Sequence, residues 1–319
     1  MENLGIVLSG GGVKGVAHIG LIQALREQGI QPKYVAGTSA GALVGAMYAA
    51  DWHAKDMIDF FKGTPLFSWY YYSTNKPGIL DTEKYRSHFE KFFGIDDFAD
   101  LSKKLIITTT NLEKAQTVYH STGELITPLM ASCSVPLVFS PLSIQGQLHA
   151  DGGIMNNFPV EPLQELGLKH ILGSFACSVM HTQPKDLNTS LKVMYRSFDL
   201  STEALCRYKF PDCDYVFAPK ELANIGFLDS KSVDEAYKVG YESAIKDMDQ
   251  ILDSLLIEMP LQSMQALESN DITVELGESE TTPLKQEETT STSYFDFWPL
   301  NWAFGTTAEK ESKKEEITA

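Results

Sequence analysis

The chain has 319 residues, of which 43% are hydrophobic and 21% are charged, and its formal net charge at pH 7 is −16. This length allows one large α/β core, and the acidic balance argues against nucleic-acid binding, because phosphate backbones attract basic surfaces. The sequence lacks an apolar run of about 18 residues, the length of a membrane-spanning helix. It also lacks a secretory signal, and its four cysteines have no metal-ligand spacing, so we expect a cytoplasmic protein with reduced thiols.

A strand is predicted over residues 4–8 and a helix over residues 13–28, and the loop between them is rich in glycine. The loop matches the spacing G-x-G-x-x-G, which is also found in dinucleotide-binding turns, at Gly10, Gly12 and Gly15. A P-loop is excluded because Lys14 is followed by glycine, and the acidic residue that dinucleotide binding requires about 20 residues later is missing. The glycines leave backbone N–H groups accessible to a ligand, so this loop is predicted to hold an anion.

A second strand is predicted over residues 33–36 and an apolar helix over residues 40–50. The turn between them reads Gly37-Thr-Ser-Ala-Gly41, which is the pattern G-x-S-x-G. Small residues on both sides of Ser39 let the strand turn sharply into the helix and present the hydroxyl near the helix N-terminus. The pentapeptide alone is a weak signal, but its position between strand and helix makes Ser39 a candidate nucleophile.

A serine nucleophile needs a base, and none of the seven histidines lies in the isolated loop that a Ser-Asp-His order predicts. The better candidate is Asp151, which is followed by Gly152 and Gly153. Two glycines after a carboxylate allow its loop to approach another backbone closely. Taken alone, the same tripeptide is more typical of a plain turn.

Together these motifs resemble the patatin-like phospholipase family, which has a glycine-rich oxyanion loop, a G-x-S-x-G nucleophile and an Asp-Gly-Gly base in this order. Residues 131–141 are also family-like, although a loop stiffened by proline explains them as well. The resemblance covers about residues 1–257 and is closest to small bacterial cytosolic members. It implies a serine hydrolase of phospholipids, lysophospholipids or other long-chain acyl esters, with no metal and no cofactor.

The resemblance also assigns roles within the motifs. It implies that Ser39 is the nucleophile and Asp151 the general base of a Ser-Asp dyad. The oxyanion hole is assigned to the loop residues Gly10, Gly11, Gly12, Lys14 and Gly15. The glycines of the elbow and of the base loop are Gly37, Gly41, Gly152 and Gly153. For Lys14, help to the oxyanion, contact with a lipid phosphate and simple solvent exposure all stay open. Because an ordinary carboxylate is a weak base, we expect burial to raise the pKa of Asp151.

The rest of the first 258 residues alternates between strands and helices, which predicts an α/β fold. With the resemblance, this becomes a three-layer α/β/α patatin-like fold with a mostly parallel central sheet. A helix is predicted from Ser232 to Leu255, with Glu235 completing a capping box. The other expected elements are a helical insertion to about residue 93 and strands at 104–110, 116–120, 169–175 and 214–218.

Residues 259–319 have a different composition and are predicted to form an acidic tail behind a catalytic domain of residues 1–258. The tail has twelve acidic and four basic residues, a net charge of −8, and an aromatic cluster at 294–304. Docking on the chain's own domain, pairing with a second copy, peripheral contact with a lipid surface and binding of a partner all fit this cluster. An adaptor protein that recruits a partner through its tail is therefore the alternative to a hydrolase.

Overall fold

The computed structural model describes residues 3–64 and 69–255, and within them eight strands form one sheet. The strands are β1 (Leu4–Leu8), β2 (Tyr34–Thr38), β3 (Lys104–Asn111), β4 (Gln116–His120), β5 (Leu142–Ile144), β6 (Gln147–Asp151), β7 (His170–Ser174) and β8 (Tyr215–Phe217). The α-helices of this part of the chain are α1 (Ala17–Glu27), α2 (Ala40–Ala49), α3 (Ala54–Gly63), α4 (Arg86–Phe93), α5 (Ile126–Ser132), α6 (Glu161–Glu165), α7 (Ser190–Arg207) and α8 (Val233–Ser254).

The sheet is mostly parallel, and its strand order is β5-β6-β3-β2-β1-β7-β8, with β4 paired to β3. The five strands from β3 to β8 in this order run parallel, whereas β4, β5 and β6 form antiparallel pairs. The central strand β1 is buried along its whole length. Burial of both faces is expected for a strand in the middle of a parallel sheet that helices cover on each side.

Successive side chains of β1 enter different hydrophobic clusters. Leu8 belongs to the larger cluster, which also contains residues of α1, α2 and α8, whereas Val7 belongs to a smaller cluster on the opposite face. The smaller cluster receives Leu163 from α6 and Cys206 from α7. Helices therefore cover both faces of the sheet, and the predicted three-layer α/β/α fold is confirmed.

Two predicted details are wrong. The helix expected over residues 13–28 begins as a 3₁₀ turn at Gly12–Val16, and α1 itself starts at Ala17. Gly12 has a φ of 58°, outside the α-helical region, so the first turn cannot be regular. The capping box at the start of α8 does not form either, because the Ser232 hydroxyl donates to Asp229 Oδ2 at 2.8 Å instead of capping a backbone N–H.

Several features were not predicted or cannot be compared. Part of the family-like segment 131–141 extends α5, and neither α7 nor the short strand β5 was predicted from sequence. The tail 259–319 with its aromatic cluster lies outside the described residues, so the domain boundary stays a prediction. Among the residues described, no helix is both long and apolar enough to cross a membrane.

Candidate active site

The glycine-rich loop and the serine elbow leave the sheet side by side. β1 and β2 are parallel neighbours, with Leu8 in register with Gly37, so both segments emerge at the carboxyl ends of their strands. A Cβ added at Gly41 would lie 2.2 Å from the Leu8 carbonyl oxygen, and one at Gly10 would lie 3.1 Å from Ser39 Cβ. Larger residues at these two glycines would therefore push the loop and the elbow apart.

Ser39 has an unusual backbone conformation that neighbouring groups hold in place. Its φ of 54° and ψ of −125° are uncommon for a residue with a side chain. Its N–H donates to Ser132 Oγ at 2.9 Å, and that hydroxyl donates in turn to the Thr108 carbonyl oxygen at 2.7 Å. The Ser39 carbonyl accepts the N–H of Leu43 at 3.0 Å inside α2. Hydrogen bonds on both sides of Cα thus fix the direction of the Ser39 side chain.

Asp151 ends β6 and is buried beside the elbow. Its Oδ1 accepts the Gly153 N–H at 2.7 Å, while the buried Oδ2 has no hydrogen-bond partner among the described residues. Burial raises the pKa of Asp151 to about 7, and the nearby Ser39 hydroxyl and the Gly153 N–H offset part of that effect. The Ser39 hydroxyl is therefore close to the carboxylate, but no hydrogen bond of normal length joins them, as is common in sites without substrate.

The glycines of the base loop allow this approach. A Cβ at Gly152 would lie 2.4 Å from the Thr108 carbonyl oxygen, within β3, and 3.0 Å from Thr38 Cγ2, at the end of β2. A Cβ at Gly153 would lie 3.0 Å from Asp151 Oδ1. The loop can lie against the two strands because Gly152 lacks a side chain, and a side chain at Gly153 would crowd the Asp151 carboxylate.

The glycine-rich loop has two backbone donors without an acceptor. The Gly10 N–H donates to the Asn157 carbonyl oxygen at 3.4 Å, and the Val13 N–H donates to the Phe227 carbonyl oxygen at 2.8 Å. The N–H groups of Gly11 and Gly12 have no acceptor in the described part of the chain. The predicted anion-binding loop therefore presents these two groups as its open donors. Gly15 also lets the loop pack closely on α2, because a Cβ there would lie 2.6 Å from Ala40 Cβ.

Asn157 joins the base loop to the glycine-rich loop, and sequence reasoning missed it. In addition to the backbone bond to Gly10, its Oδ1 occupies the space that a Cβ at Gly10 or Gly153 would need. Its Nδ2 donates to Cys177 Sγ at 3.4 Å, and the Cys177 thiol donates to the Gly10 carbonyl oxygen at 2.8 Å. Its only sequence signal is an asparagine shortly after the base loop, a residue type that is common in turns.

Four of the histidines, His18, His88, His120 and His149, have hydrogen-bond partners in the structure. Buried His18 pairs its Nε2 with the Ser9 carbonyl oxygen at 2.9 Å and its Nδ1 with Ser174 Oγ at 2.7 Å. Burial lowers the pKa of His18 to about 4, so the ring is neutral and holds the start of the glycine-rich loop through Ser9. Among the described residues, no histidine forms a hydrogen bond with Ser39 or Asp151.

Ser39 lies on the walls of two cavities of different character. The first has a volume of about 130 Å³ and is almost wholly apolar. Its lining includes Leu43, Phe60, Tyr85, Phe89, Met130 and Phe139. The second has a volume of about 480 Å³, and its lining includes Gly11, Lys14, Asp151, Asn157, Lys192 and Arg196. An ester bond at Ser39 can therefore have an apolar chain on one side and a polar group on the other.

The sequence matches known lipid hydrolases. The family model for patatin-like phospholipases matches residues 6–163. Similar curated proteins include the lysophospholipase NTE1 of Coccidioides immitis, which is 28% identical over 284 residues, and that of Cryptococcus neoformans, which is 32% identical over 199 residues. These alignments cover 78% and 60% of this chain but only 18% and 12% of the relatives. The chain thus spans less than a fifth of the length of either relative.

One solved structure with a similar fold is the crystal structure of VipD from Legionella pneumophila. It aligns with a TM-score of 0.48 and 17% sequence identity, over 78% of this chain and 67% of that chain. The family model covers the glycine-rich loop, the Ser39 elbow and the Asp151 loop together. Residues 6–163, which carry all three motifs, therefore match a patatin-like phospholipase domain.

Proposed function

We propose that this protein is a serine acyl hydrolase that cleaves phospholipid or lysophospholipid esters with Ser39 as nucleophile and Asp151 as general base. The observation that carries the proposal is the position of Ser39 between an apolar cavity and a polar cavity that contains a buried carboxylate. The family match and the lysophospholipase names of the relatives support a lipid ester as the substrate. No feature of the site favours the alternative of an adaptor protein.

The reaction begins when Ser39 Oγ attacks the carbonyl carbon of the ester and its proton passes to the Asp151 carboxylate. A base that titrates near neutral pH suits this transfer, and burial gives Asp151 a pKa of about 7. The carbonyl oxygen becomes negative and accepts the N–H groups of Gly11 and Gly12. One such donor typically lowers the barrier by about 3 kcal/mol.

The tetrahedral intermediate collapses when the C–O bond to the leaving alcohol breaks. Asp151 returns its proton to that alcohol, and an acyl-Ser39 ester remains. Water then attacks this ester with Asp151 again acting as base, the bond from the acyl carbon to Ser39 Oγ breaks, Asp151 returns the proton to that oxygen, and the fatty acid leaves. The acyl chain lies in the apolar cavity, where each buried methylene contributes about 0.8 kcal/mol to binding. The head group of the lipid lies in the polar cavity.

A fluorophosphonate probe tests this function, because it reacts covalently with an activated serine. We expect the wild-type protein to be labelled at Ser39 and to release fatty acid from a panel of phospholipids and lysophospholipids. Ser39→Ala abolishes both activities, whereas Ser178→Ala, which removes another serine of the polar cavity, keeps them. Labelling of Ser39→Ala at the wild-type rate would show that another residue is the nucleophile.

A further inference from the structure

The polarity of helix α7 is opposite to that of an ordinary surface helix. Its large apolar side chains point to solvent, with 40–52% of their surface exposed, at Val193, Met194, Phe198, Leu200 and Leu205. The smaller residues on the same side are Ser197, Ser201 and Ala204. At 3.6 residues per turn these positions span an arc of about 160°, and none of them is charged. Surface helices of globular proteins normally present charged residues to water and apolar residues to the core.

The charged residues of α7 lie outside this arc. Three of them, Lys192, Arg196 and Asp199, line the polar cavity that also contains Ser39 and Asp151. The C-terminal half of the helix is anchored at buried Cys206. The exposed apolar face is therefore not a misplaced core surface, because the opposite side of the same helix forms the cavity wall.

The apolar face continues into the cavity and into a neighbouring loop. Phe198 belongs to both the exposed face and the lining of the polar cavity. Met180, which is also exposed, precedes the helix, and Arg196 Nη2 donates to its carbonyl oxygen at 2.5 Å. An apolar surface thus surrounds one side of the entrance to the cavity where the proposed reaction takes place.

The local charge differs from that of the whole chain. The N-terminal half of α7, residues 190–198, contains Lys192 and Arg196 and no acidic residue, and Asp199, Glu203 and Arg207 follow in the C-terminal half, while the chain as a whole has a net charge of −16. Apolar side chains next to basic ones are typical of helices that lie in the interface of a bilayer and meet lipid phosphates. A cavity that receives lipid esters must also open where lipids are delivered.

From these features we propose that the exposed apolar face of α7 is the surface by which this protein docks on a phospholipid bilayer. The proposal rests on the proposed function for its substrate, and it identifies the bilayer as the source of that substrate. On docking, Val193, Met194 and Leu200 enter the interface and Phe198 borders the path from the membrane to Ser39. The lipid can then reach the cavity without crossing water.

The test uses the full chain in a Ser39→Ala background, so that vesicles are not consumed. We compare the triple variant Val193→Gln, Met194→Gln and Leu200→Gln with a matched control, Leu112→Gln, Leu166→Gln and Ile245→Gln, whose residues are similarly exposed elsewhere. In flotation with vesicles of phosphatidylcholine and phosphatidylglycerol, the α7 variant should bind at least about tenfold more weakly, and the control should bind normally. Glutamine is a good helix former, so α7 should persist, which circular dichroism can check.

The same substitutions in the active protein separate this proposal from the proposed function. Hydrolysis of a short soluble ester should be unchanged in the α7 variant, while hydrolysis of vesicle lipid falls in step with binding. If the wild-type protein binds vesicles but hydrolyses no ester, the proposed function fails and the docking surface stands. Unchanged vesicle binding by the α7 variant would overturn the docking surface. If vesicle binding were unchanged but the oligomeric state of the α7 variant were altered, the exposed face would be an interface with a second copy of the chain.

Discussion

The helices α2 and α7 both lie near the Ser39 site, and they differ in how much of their apolar surface is buried. α2 follows Ser39 directly, and all ten of its residues are buried. α7 lines the polar cavity and exposes most of its apolar residues to solvent. Packing and hydrogen bonds hold Ser39 and α2 in place, and a chemical step needs such accurate geometry. The α7 side has an apolar surface that suits contact with lipid. The chemical step is thus assigned to the region of Ser39 and α2, and contact with the lipid substrate is assigned to α7.

We expect the largest loss of activity when a residue of the Ser-Asp dyad is substituted. Ser39→Ala and Asp151→Asn should each lower kcat/KM by at least about 10³-fold, because the nucleophile and the base act as one unit. The loss should be the same for a soluble ester and for vesicle lipid, unlike the loss from α7 substitutions. Steady-state kinetics on both substrates measures this. If either variant lost activity on vesicle lipid but not on the soluble ester, the substituted residue would not act in the chemical step.

Asp151 should also lower the stability of the protein at alkaline pH. Burial raises its pKa from 3.8 to about 7, so the neutral form favours the fold, and this contribution is lost as the pH rises through about 7. Asp151→Asn stays neutral and should be more stable than wild type at pH 8, by at most about 4 kcal/mol, with the difference shrinking towards pH 4. Urea unfolding at several pH values measures it, with exposed Asp56→Asn as control. No gain at pH 8 would contradict a carboxylate whose burial is only partly offset by hydrogen bonds.

A matched pair of methionines sharpens the contrast between the helices. Met47 in α2 is fully buried, whereas Met194 in α7 is 48% exposed. Met47→Gln places an amide in the core and should reduce the free energy of unfolding by about 3 kcal/mol. Met194→Gln should change it by less than about 0.5 kcal/mol. Equal losses in denaturant titrations would mean that the α7 face is covered within the folded protein.

Asn157 tests how firmly the geometry on the α2 side is held. Asn157→Ala removes the contacts of its side chain with Gly10, Gly153 and Cys177, so the glycine-rich loop can move relative to Asp151. We expect kcat to fall about 30-fold with KM nearly unchanged, because a displaced oxyanion loop weakens binding of the transition state more than of the substrate. Asn224→Ala, in the same cavity, serves as control. A rise in KM alone would assign Asn157 to substrate binding.

The helices α2 and α7 also differ in whether the sequence predicts them. The Ser39 elbow and α2 were predicted because short glycine motifs must stand where a strand turns into a helix. α7 was not predicted, although its apolar residues form a stripe at helical spacing; the sequence could not show that this stripe faces solvent while Lys192, Arg196 and Asp199 line the cavity. Asn157 was missed because its contacts join segments that are distant in sequence, which no local pattern reveals.

The most direct test of the dyad is the rate at which a fluorophosphonate labels Ser39 at different pH values. If Asp151 is the base, this rate should rise along a single titration with a midpoint near pH 7, the pKa that burial gives the carboxylate. In Asp151→Asn, labelling should be slow, and its rate should not change around pH 7. Labelling of the wild-type protein that does not depend on pH between 5 and 9, or normal labelling of Asp151→Asn, would contradict the account.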